Sequence, residues 1–209
     1  MKAIILANGE LCDPDFAKLV LLEGDYIIAC DGGLRHCHAL GILPNYIIGD
    51  LDSVEPWLLN QYPNVPLIQF PIEKDQTDLE LALAHACDLG VDTVIVLAGL
   101  GGRIDHQLGN VHALAETVTR GIRSEMWDER SRVGLIKDYC RLHTGDGVLV
   151  TMLPLTTTVD GVRTIGLKYP LNEETLTVGS SLGVSNQITG AFAEVSLKAG
   201  LLIVIQTKT

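Results

Sequence analysis

The sequence predicts an α/β domain with a mostly parallel, doubly wound sheet, followed by an all-β domain. Three observations lead there. Ile- and Val-rich runs at 2–7, 26–30, 46–49, 66–70 and 94–98 alternate with helix-patterned segments up to about residue 122. Strands buried on both faces and separated by helices imply a parallel sheet. Four of these runs are followed by polar or glycine-rich residues: Asn8-Gly9, Asp31-Gly32-Gly33, Asp50-Leu51-Asp52-Ser53 and Gly99-Leu100-Gly101-Gly102-Arg103-Ile104-Asp105-His106. Beyond about residue 130 the texture changes to short, turn-punctuated strands with no good helix.

Helices are expected at 13–22, 33–40, 54–61, 76–89 and 106–120. The one at 76–89 is the best marked, because Leu79, Ala82, Leu83, Ala86 and Cys87 follow the i, i+3, i+4, i+7, i+8 pattern and Gly90 stands just past its end. A further short strand is expected near 123–128. In the second half, 147–153, 162–167, 193–198 and 201–205 read as strands. Ala193, Val195 and Leu197 alternate there with Glu194, Ser196 and Lys198. This pattern suits a β-sandwich or a barrel-like domain. The charged run Asp128-Glu129-Arg130-Ser131-Arg132 marks a boundary at about 124–136, which divides the chain into 1–130 and 131–209.

Composition narrows the function. The chain of 209 residues is 47% hydrophobic, enough for a sizeable core, and carries a net charge of −11. Such acidity argues against a nucleic-acid binder, which shows a basic face. It also means that a phosphate ligand would need a divalent metal. The five cysteines form no CxxC pair, and Cys30 and Cys87 fall on apolar faces, so a reducing, cytoplasmic compartment is expected. The apolar run after the N-terminus is too short for a signal-peptide core, and no stretch reaches transmembrane length.

Asp50 and Asp52 follow the strand Tyr46-Ile47-Ile48-Gly49 and carry the sharpest chemical signal. Two like charges at ~4 Å repel by ~1 kcal/mol in water and by ~4 kcal/mol in a half-buried site. A hard cation is the simplest thing to offset that repulsion. A solvated turn with Ser53 capping the next helix is the plainer reading. Asn8, Asp31, Asp50, Asp52 and Asp105 all fall at strand ends, where ligands bind in open parallel sheets.

Lys74-Asp75-Gln76-Thr77-Asp78 opens the helix at 76–89. Asp75 suits an N-cap with Asp78 near the positive end of the helix. The same position would let Asp75 hold metal while Lys74, Gln76 and Thr77 face phosphate. In the 99–106 loop, glycines permit close approach to phosphate, and Arg103 offers a two-pronged donor. That loop is neither a dinucleotide fingerprint nor a Walker loop, and a tight turn with Asp105 as N-cap would also explain it. His36, His38, His85, His112 and His143 read as structural, leaving His106 near the site. No Ser/His/Asp or Cys/His set has the spacing of a covalent nucleophile.

These segments together resemble the thiamine pyrophosphokinase (thiamine diphosphokinase) family, nearly end to end and in order. They are Asp31-Gly32-Gly33; Pro44 with Ile48-Gly49-Asp50-Leu51-Asp52-Ser53; Lys74-Asp75-Gln76-Thr77-Asp78; Gly101-Gly102-Arg103-Ile104-Asp105-His106 with Asn110; Gly166-Leu167-Lys168-Tyr169-Pro170-Leu171; and Gly183-Val184-Ser185-Asn186. The resemblance implies an ATP-binding catalytic α/β domain (1–130) and a β-sandwich for thiamine binding and dimerisation (131–209). It implies Mg²⁺-dependent transfer of the pyrophosphoryl group of ATP to the hydroxyl of thiamine, giving thiamine diphosphate and AMP. It places Asp50, Asp52 and Asp75 at the metal and phosphates, with Asp78, Arg103 and Asp105 completing the catalytic set. Asn8, Asp31, Gly32, Gly33, Lys74, Gln76, Thr77, Gly101, Gly102 and Arg103 are expected at ATP. Ser185 and Asn186 are expected at thiamine, in a site shared across a homodimer. Gln187 is a departure, since many members have Glu after Ser-Asn.

The residues themselves suit this chemistry, because phosphoryl-type transfer needs positioning and charge neutralisation more than a protein nucleophile. Asp78 or Asp105 is a candidate to accept the alcohol proton. Two other readings use the same acidic cluster: a metal-dependent phosphohydrolase that activates water, and a non-catalytic thiamine or nucleotide sensor.

Overall fold

The computed structural model describes residues 1–22, 25–145 and 147–208. The chain divides into two compact units, Met1–Glu129 and Arg130–Thr209.

In the first unit, strands β1 (Lys2–Leu6), β2 (Tyr26–Cys30), β3 (Tyr46–Gly49), β4 (Leu67–Gln69), β5 (Thr93–Leu97) and β6 (Arg123–Trp127) alternate with helices. The helices are α1 (Pro14–Leu21), α2 (Leu34–Leu40), α3 (Pro56–Leu59), α4 (Asp78–Asp88) and α5 (Ile104–Thr119). The strand order is β6-β5-β1-β2-β3-β4, with every pairing parallel. The chain therefore steps outward from β1 to β4, then crosses back to lay β5 on the other side of β1. That reversal opens a crevice at the carboxyl ends of the central strands.

Both faces of this sheet are covered. Ile4, Leu6, Ala29, Ile47, Ile95 and Leu97 share a buried cluster with Ala17, Val20 and Leu21 of α1, Leu34, Cys37 and Leu40 of α2, and Leu58 of α3. Ile5, Ile28, Ile48, Val94 and Val96 are also buried and alternate with that set. By the two-residue period they take the opposite face, against which α4 packs on β1, β2 and β3. Local signals start the helices. Asp13 caps α1 by accepting from the amides of Asp15 and Phe16.

The second unit is all β. Its strands are β7 (Ser131–Ile136), β8 (Tyr139–Leu142), β9 (Val148–Pro154), β10 (Thr158–Ile165), β11 (Asn172–Thr177), β12 (Asn186–Gln187), β13 (Ala193–Ser196) and β14 (Leu202–Lys208). They pair antiparallel in two groups, β12-β9-β14-β7 and β11-β10-β13-β8. Val150, Met152, Leu202 and Val204 from the first group share one core with Val159, Val162, Leu176 and Val195 from the second. Two layers around one core make a sandwich, which resolves the choice between sandwich and barrel.

Four strands escape the sequence reading, the two-residue β12 among them. β7 occupies the stretch read as a charged connection: Val133, Leu135 and Ile136 are buried there between polar neighbours. β8 and β11 lie at the two edges of their sheet, and each buries one leucine, Leu142 and Leu176. A strand with so few inward apolar residues shows little hydrophobic period to read, and backbone pairing together with one buried leucine holds it in place.

The fold makes a stability prediction. Leu83 on α4 is fully buried, whereas Leu22 after α1 is 81% exposed. Leu83→Ala is expected to lower unfolding free energy by about 2–5 kcal/mol, and Leu22→Ala by no more than about 0.5 kcal/mol. Urea denaturation followed by circular dichroism checks both.

Candidate active site

The crevice at the strand ends holds a cavity of about 660 Å³, a size ordinary for a small-molecule site. Its wall is built from the segments after β1, β2, β3 and β5 and from the first turns of α4 and α5.

Close backbone approach brings its carboxylates together. Asp31 follows β2 and Asp50 follows β3. Between them, a Cβ on Gly49 would come within 2.9 Å of the Asp31 Cβ, and Gly49 itself takes a φ of +154°. Only glycine lets the two strand ends converge. Asp31, Leu51 and Ala98, each just past a strand, have positive φ of 49°, 68° and 55°. Non-glycine residues hold that conformation at a cost of about 1–3 kcal/mol each, and such strain clusters at functional sites.

Asp31, Asp50 and Asp78 each offer a carboxylate oxygen within 4.8 Å of the others. Lys74 balances part of this charge: its Nζ lies 2.5 Å from Asp50 Oδ2 and 3.1 Å from Asp78 Oδ1. Its hydrogen bond to Asp50 is the main reason that carboxyl is held below its usual range. Burial alone would pull the Lys74 ammonium down, but its bonds to Asp50 and Asp78 outweigh that and hold it up. Asp52 lacks such a partner, and the neighbouring Asp50 charge pushes its carboxyl up. Asp31 is only 5% exposed, and its Oδ1 has no hydrogen-bond partner. Its Oδ2 accepts from the Ser53 hydroxyl and the Asn8 amide. An orphaned buried carboxylate oxygen beside two further carboxylates suits a hard divalent cation.

A second network fixes the other wall. Arg35 donates to the carbonyls of Asn8 at 2.7 Å, Gly9 at 2.8 Å and Gly32 at 3.2 Å, and also to Asn8 Oδ1. The Asn8 Nδ2 then donates to Ser53 Oγ at 3.0 Å. Neither Arg35 nor the Ser53–Asp31 bond was anticipated. The one available signal was a basic residue in the helical turn straight after Asp31-Gly32-Gly33. His36, read as structural, is buried with Nε2 2.9 Å from the Gly9 carbonyl.

Of the expected residues, Asn8, Asp31, Asp50, Asp52, Lys74, Gln76, Thr77, Asp78, Gly101, Gly102 and Arg103 line the cavity. Gly32 and Gly33 are buried just behind it, where a side chain would meet Asn8, Ser53 or the Leu6 carbonyl. Asp75 is exposed and is not part of the wall. The carboxylates that lie together in space are Asp31, Asp50 and Asp78, with Asp52 on the same cavity wall and Asp75 outside it. The cause is the helix start. Thr77, not Asp75, caps α4, in a capping box with Glu80, and this puts Asp78 at the first helical position. There its Oδ1 also accepts from the Asp50 amide at 3.2 Å.

The loop before α5 is tied by Asn110 to the Gly99 carbonyl and by Gln107 to the Gly102 carbonyl. Arg103, rather than Asp105, stands at the N-cap of α5. Asp105 instead grips Arg103 with both oxygens, at 3.1 and 2.5 Å. That grip holds the Asp105 carboxyl at about 2. The cavity therefore joins an acidic floor for a cation to helix N-termini and an Arg for an anion.

In the second unit, Ser185 is exposed with φ +57°, and its amide donates to Thr151 Oγ1. Asn186 is 4% exposed and clips the backbone of Tyr169. Its Oδ1 accepts from the Tyr169 amide at 3.0 Å, and its Nδ2 donates to the Tyr169 carbonyl at 2.7 Å. Gln187, the departure from the family pattern, accepts from Lys168 Nζ at 3.2 Å.

The chain is similar to known proteins in sequence and in fold. The family model for the thiamin pyrophosphokinase catalytic domain matches residues 17–126, and that for the thiamin pyrophosphokinase vitamin B1 binding domain matches residues 139–202. Thiamine pyrophosphokinase of Bacillus subtilis is 30% identical over 184 residues, covering 86% of each chain. Thiamin pyrophosphokinase 1 of Caenorhabditis elegans is 26% identical over 222 residues, covering 97% of this chain and 88% of the relative. Among solved structures, the Bacillus subtilis enzyme superposes with a TM-score of 0.88 at 26% identity over the whole of both chains. The Candida albicans enzyme reaches 0.80 at 17% identity, covering 99% of this chain and 89% of that one.

The two neighbouring aspartates are expected to respond oppositely to charge removal. The Asp52 carboxyl is raised in the folded state, so its stabilising contribution is present at low pH and lost as pH rises through its folded value. The Asp50 carboxyl is lowered, so its contribution is present at neutral pH and lost as pH falls. In EDTA at pH 7, Asp52→Asn should raise Tm and Asp50→Asn should lower it, both effects shrinking towards pH 4. Differential scanning fluorimetry across that range checks the signs.

Proposed function

This chain belongs to the thiamin pyrophosphokinase family, and we propose that it transfers the pyrophosphoryl group of ATP to the hydroxyl of thiamine, releasing AMP and thiamine diphosphate. The observation that carries this reading is the pairing, in one cavity, of a carboxylate trio having an orphaned oxygen with an anion-suited wall of two helix starts and Arg103.

Asp31, Asp50 and Asp78 would hold a divalent metal, with Asp52 beside them. An all-oxygen, carboxylate-rich set favours Mg²⁺ among abundant cations. When bound, that metal neutralises charge on the transferred phosphates. The residues of this chain do the remainder. Gln76 and the Thr77 hydroxyl at the start of α4, and the backbone of Gly101 and Gly102 before α5, would offer donors to the phosphates. Arg103, oriented by Asp105, adds a two-pronged donor. Asp105, held at about 2, suits orienting Arg103 better than accepting the alcohol proton. Asp75 has no metal role in this reading.

Ser185 and Asn186 serve thiamine, Asn186 through the backbone of Tyr169 that it holds. We place this segment against the phosphate site of a second subunit in a homodimer. The exposed apolar side chains Tyr169, Leu182 and Val184 near it support that association. The protein is read as cytoplasmic and metal-dependent. Among the described residues, no helix is long and apolar enough to cross a membrane.

Incubation with ATP, Mg²⁺ and thiamine should yield AMP and thiamine diphosphate in equal amounts, and EDTA should stop it. AMP or phosphate release that ignores thiamine would make the protein a hydrolase. Binding of both ligands without turnover would make it a sensor. Arg103→Lys keeps the charge but loses the fork. It should lower turnover by roughly 10²–10³-fold, the scale of one lost transition-state donor.

Asn186→Ala leaves the Tyr169 peptide unpaired, at a cost of about 1–3 kcal/mol. It is expected to raise the KM for thiamine more than that for ATP. Steady-state kinetics with each substrate varied decides it, and equal rises in both constants would remove Asn186 from the thiamine site.

A further inference from the structure

Lys74 occupies an unusual place. Its side chain is 13% exposed, and its ammonium touches Asp50 at 2.5 Å and Asp78 at 3.1 Å. These are two of the three carboxylates grouped within 4.8 Å. The third, Asp31, is 95% buried, reaches the same cavity, and keeps Oδ1 without a partner. The ammonium thus meets two members of the trio and leaves the third unpaired. On the cavity wall Lys74, Arg35 and Arg103 are outnumbered by Glu10, Asp31, Asp50, Asp52 and Asp78, so the free site stays negative. A surface ion pair would have no reason to be so enclosed.

We infer that Lys74 is the free protein's own counter-cation, filling the position among Asp50 and Asp78 that a divalent metal takes, and that metal binding displaces it. The inference rests on the metal reading of this site and adds a competition to it. A divalent cation uses the same carboxylate oxygens, carries twice the charge and repels an ammonium at contact distance. Lys74 sits on a flexible four-carbon stem, two and three residues before Gln76 and Thr77 on the anion-suited wall. Displacement therefore carries its charge from the carboxylates towards the place where phosphates bind. Metal binding and polyphosphate binding then help each other, and each must strengthen the other equally.

The test uses Mn²⁺ alone, titrated into the full-length protein without nucleotide or thiamine and followed by the electron paramagnetic resonance of free Mn²⁺. Lys74→Gln, checked for folding by circular dichroism, should bind Mn²⁺ about tenfold tighter than wild type, within the ordinary range of such couplings. Lys74→Arg, which keeps the charge, should stay weak. A second measurement needs no variant. Lys74 in the wild-type protein should be acetylated slowly by an N-hydroxysuccinimide ester, and several-fold faster at saturating Mg²⁺, read by peptide mass spectrometry. A folded Lys74→Gln protein with unchanged or weaker Mn²⁺ affinity overturns the inference, as does a Lys74 whose reactivity does not rise with Mg²⁺. Absence of Mn²⁺ binding in every form overturns it along with the metal assignment. Neither measurement involves thiamine or turnover, so failure of the proposed transferase reaction would leave this result standing.

Discussion

Carboxylates held together at the end of a parallel sheet are the constraint on which the rest of this site depends. Asp31 and Asp50 leave adjacent strands, and Gly49 lets their backbones close to a distance that no side chain would permit. Asp78 arrives from the first position of α4 and accepts from the Asp50 amide. Like charges at such range repel by several kcal/mol unless a cation lies among them. Lys74 supplies a single positive charge, and the orphaned Asp31 oxygen shows that the set is not saturated by it. The local geometry therefore asks for a further cation.

The same cavity is made attractive to anions without many basic side chains. With a net charge of −11, the protein does not rely on a broad positive field. It uses the starts of α4 and α5, where backbone amides lack helical partners, and one arginine whose orientation Asp105 sets. Arg35 contributes differently. It is bound to three carbonyls and to Asn8, so it locks the turn after β1 and, through Asn8 and Ser53, the orientation of Asp31. One arginine is left to act and the other is used up in holding.

The β unit gives the two residues of its Ser-Asn pair different settings. An Asn in a Ser-Asn pair invites a direct ligand contact. In the structure the buried Asn186 amide imitates a backbone peptide, giving and taking a hydrogen bond with Tyr169. Its influence on a ligand would pass through the shape of the 166–170 turn. Ser185, exposed at positive φ beside it, is the member of the pair free to meet a ligand.

What the sequence determined by itself was most of what depends on near neighbours in the chain. Apolar runs of period two and 3.6 located the strands and helices of the first unit, and polar residues at four strand ends located the cavity. The order of six motifs along the chain carried the family. Tertiary structure decided whatever depends on which strand ends meet. Asp75 and Asp78 are equally acidic and three residues apart. The Thr77–Glu80 capping box, itself a local signal, sets where α4 begins, but only the tertiary structure lays that first turn beside Asp31 and Asp50 and so brings Asp78 into the carboxylate trio. Arg35 shows only the weak signal of its place straight after Asp31-Gly32-Gly33, because its partners are backbone carbonyls at Asn8, Gly9 and Gly32. β8 and β11 bury one leucine apiece; β8 pairs with β13, which lies far along the chain, and β11 pairs with the neighbouring β10 at the sheet edge. Local pattern is encoded by side chains at short spacing. Charge clusters and edge strands are made by contacts across the fold, which short spacing does not record.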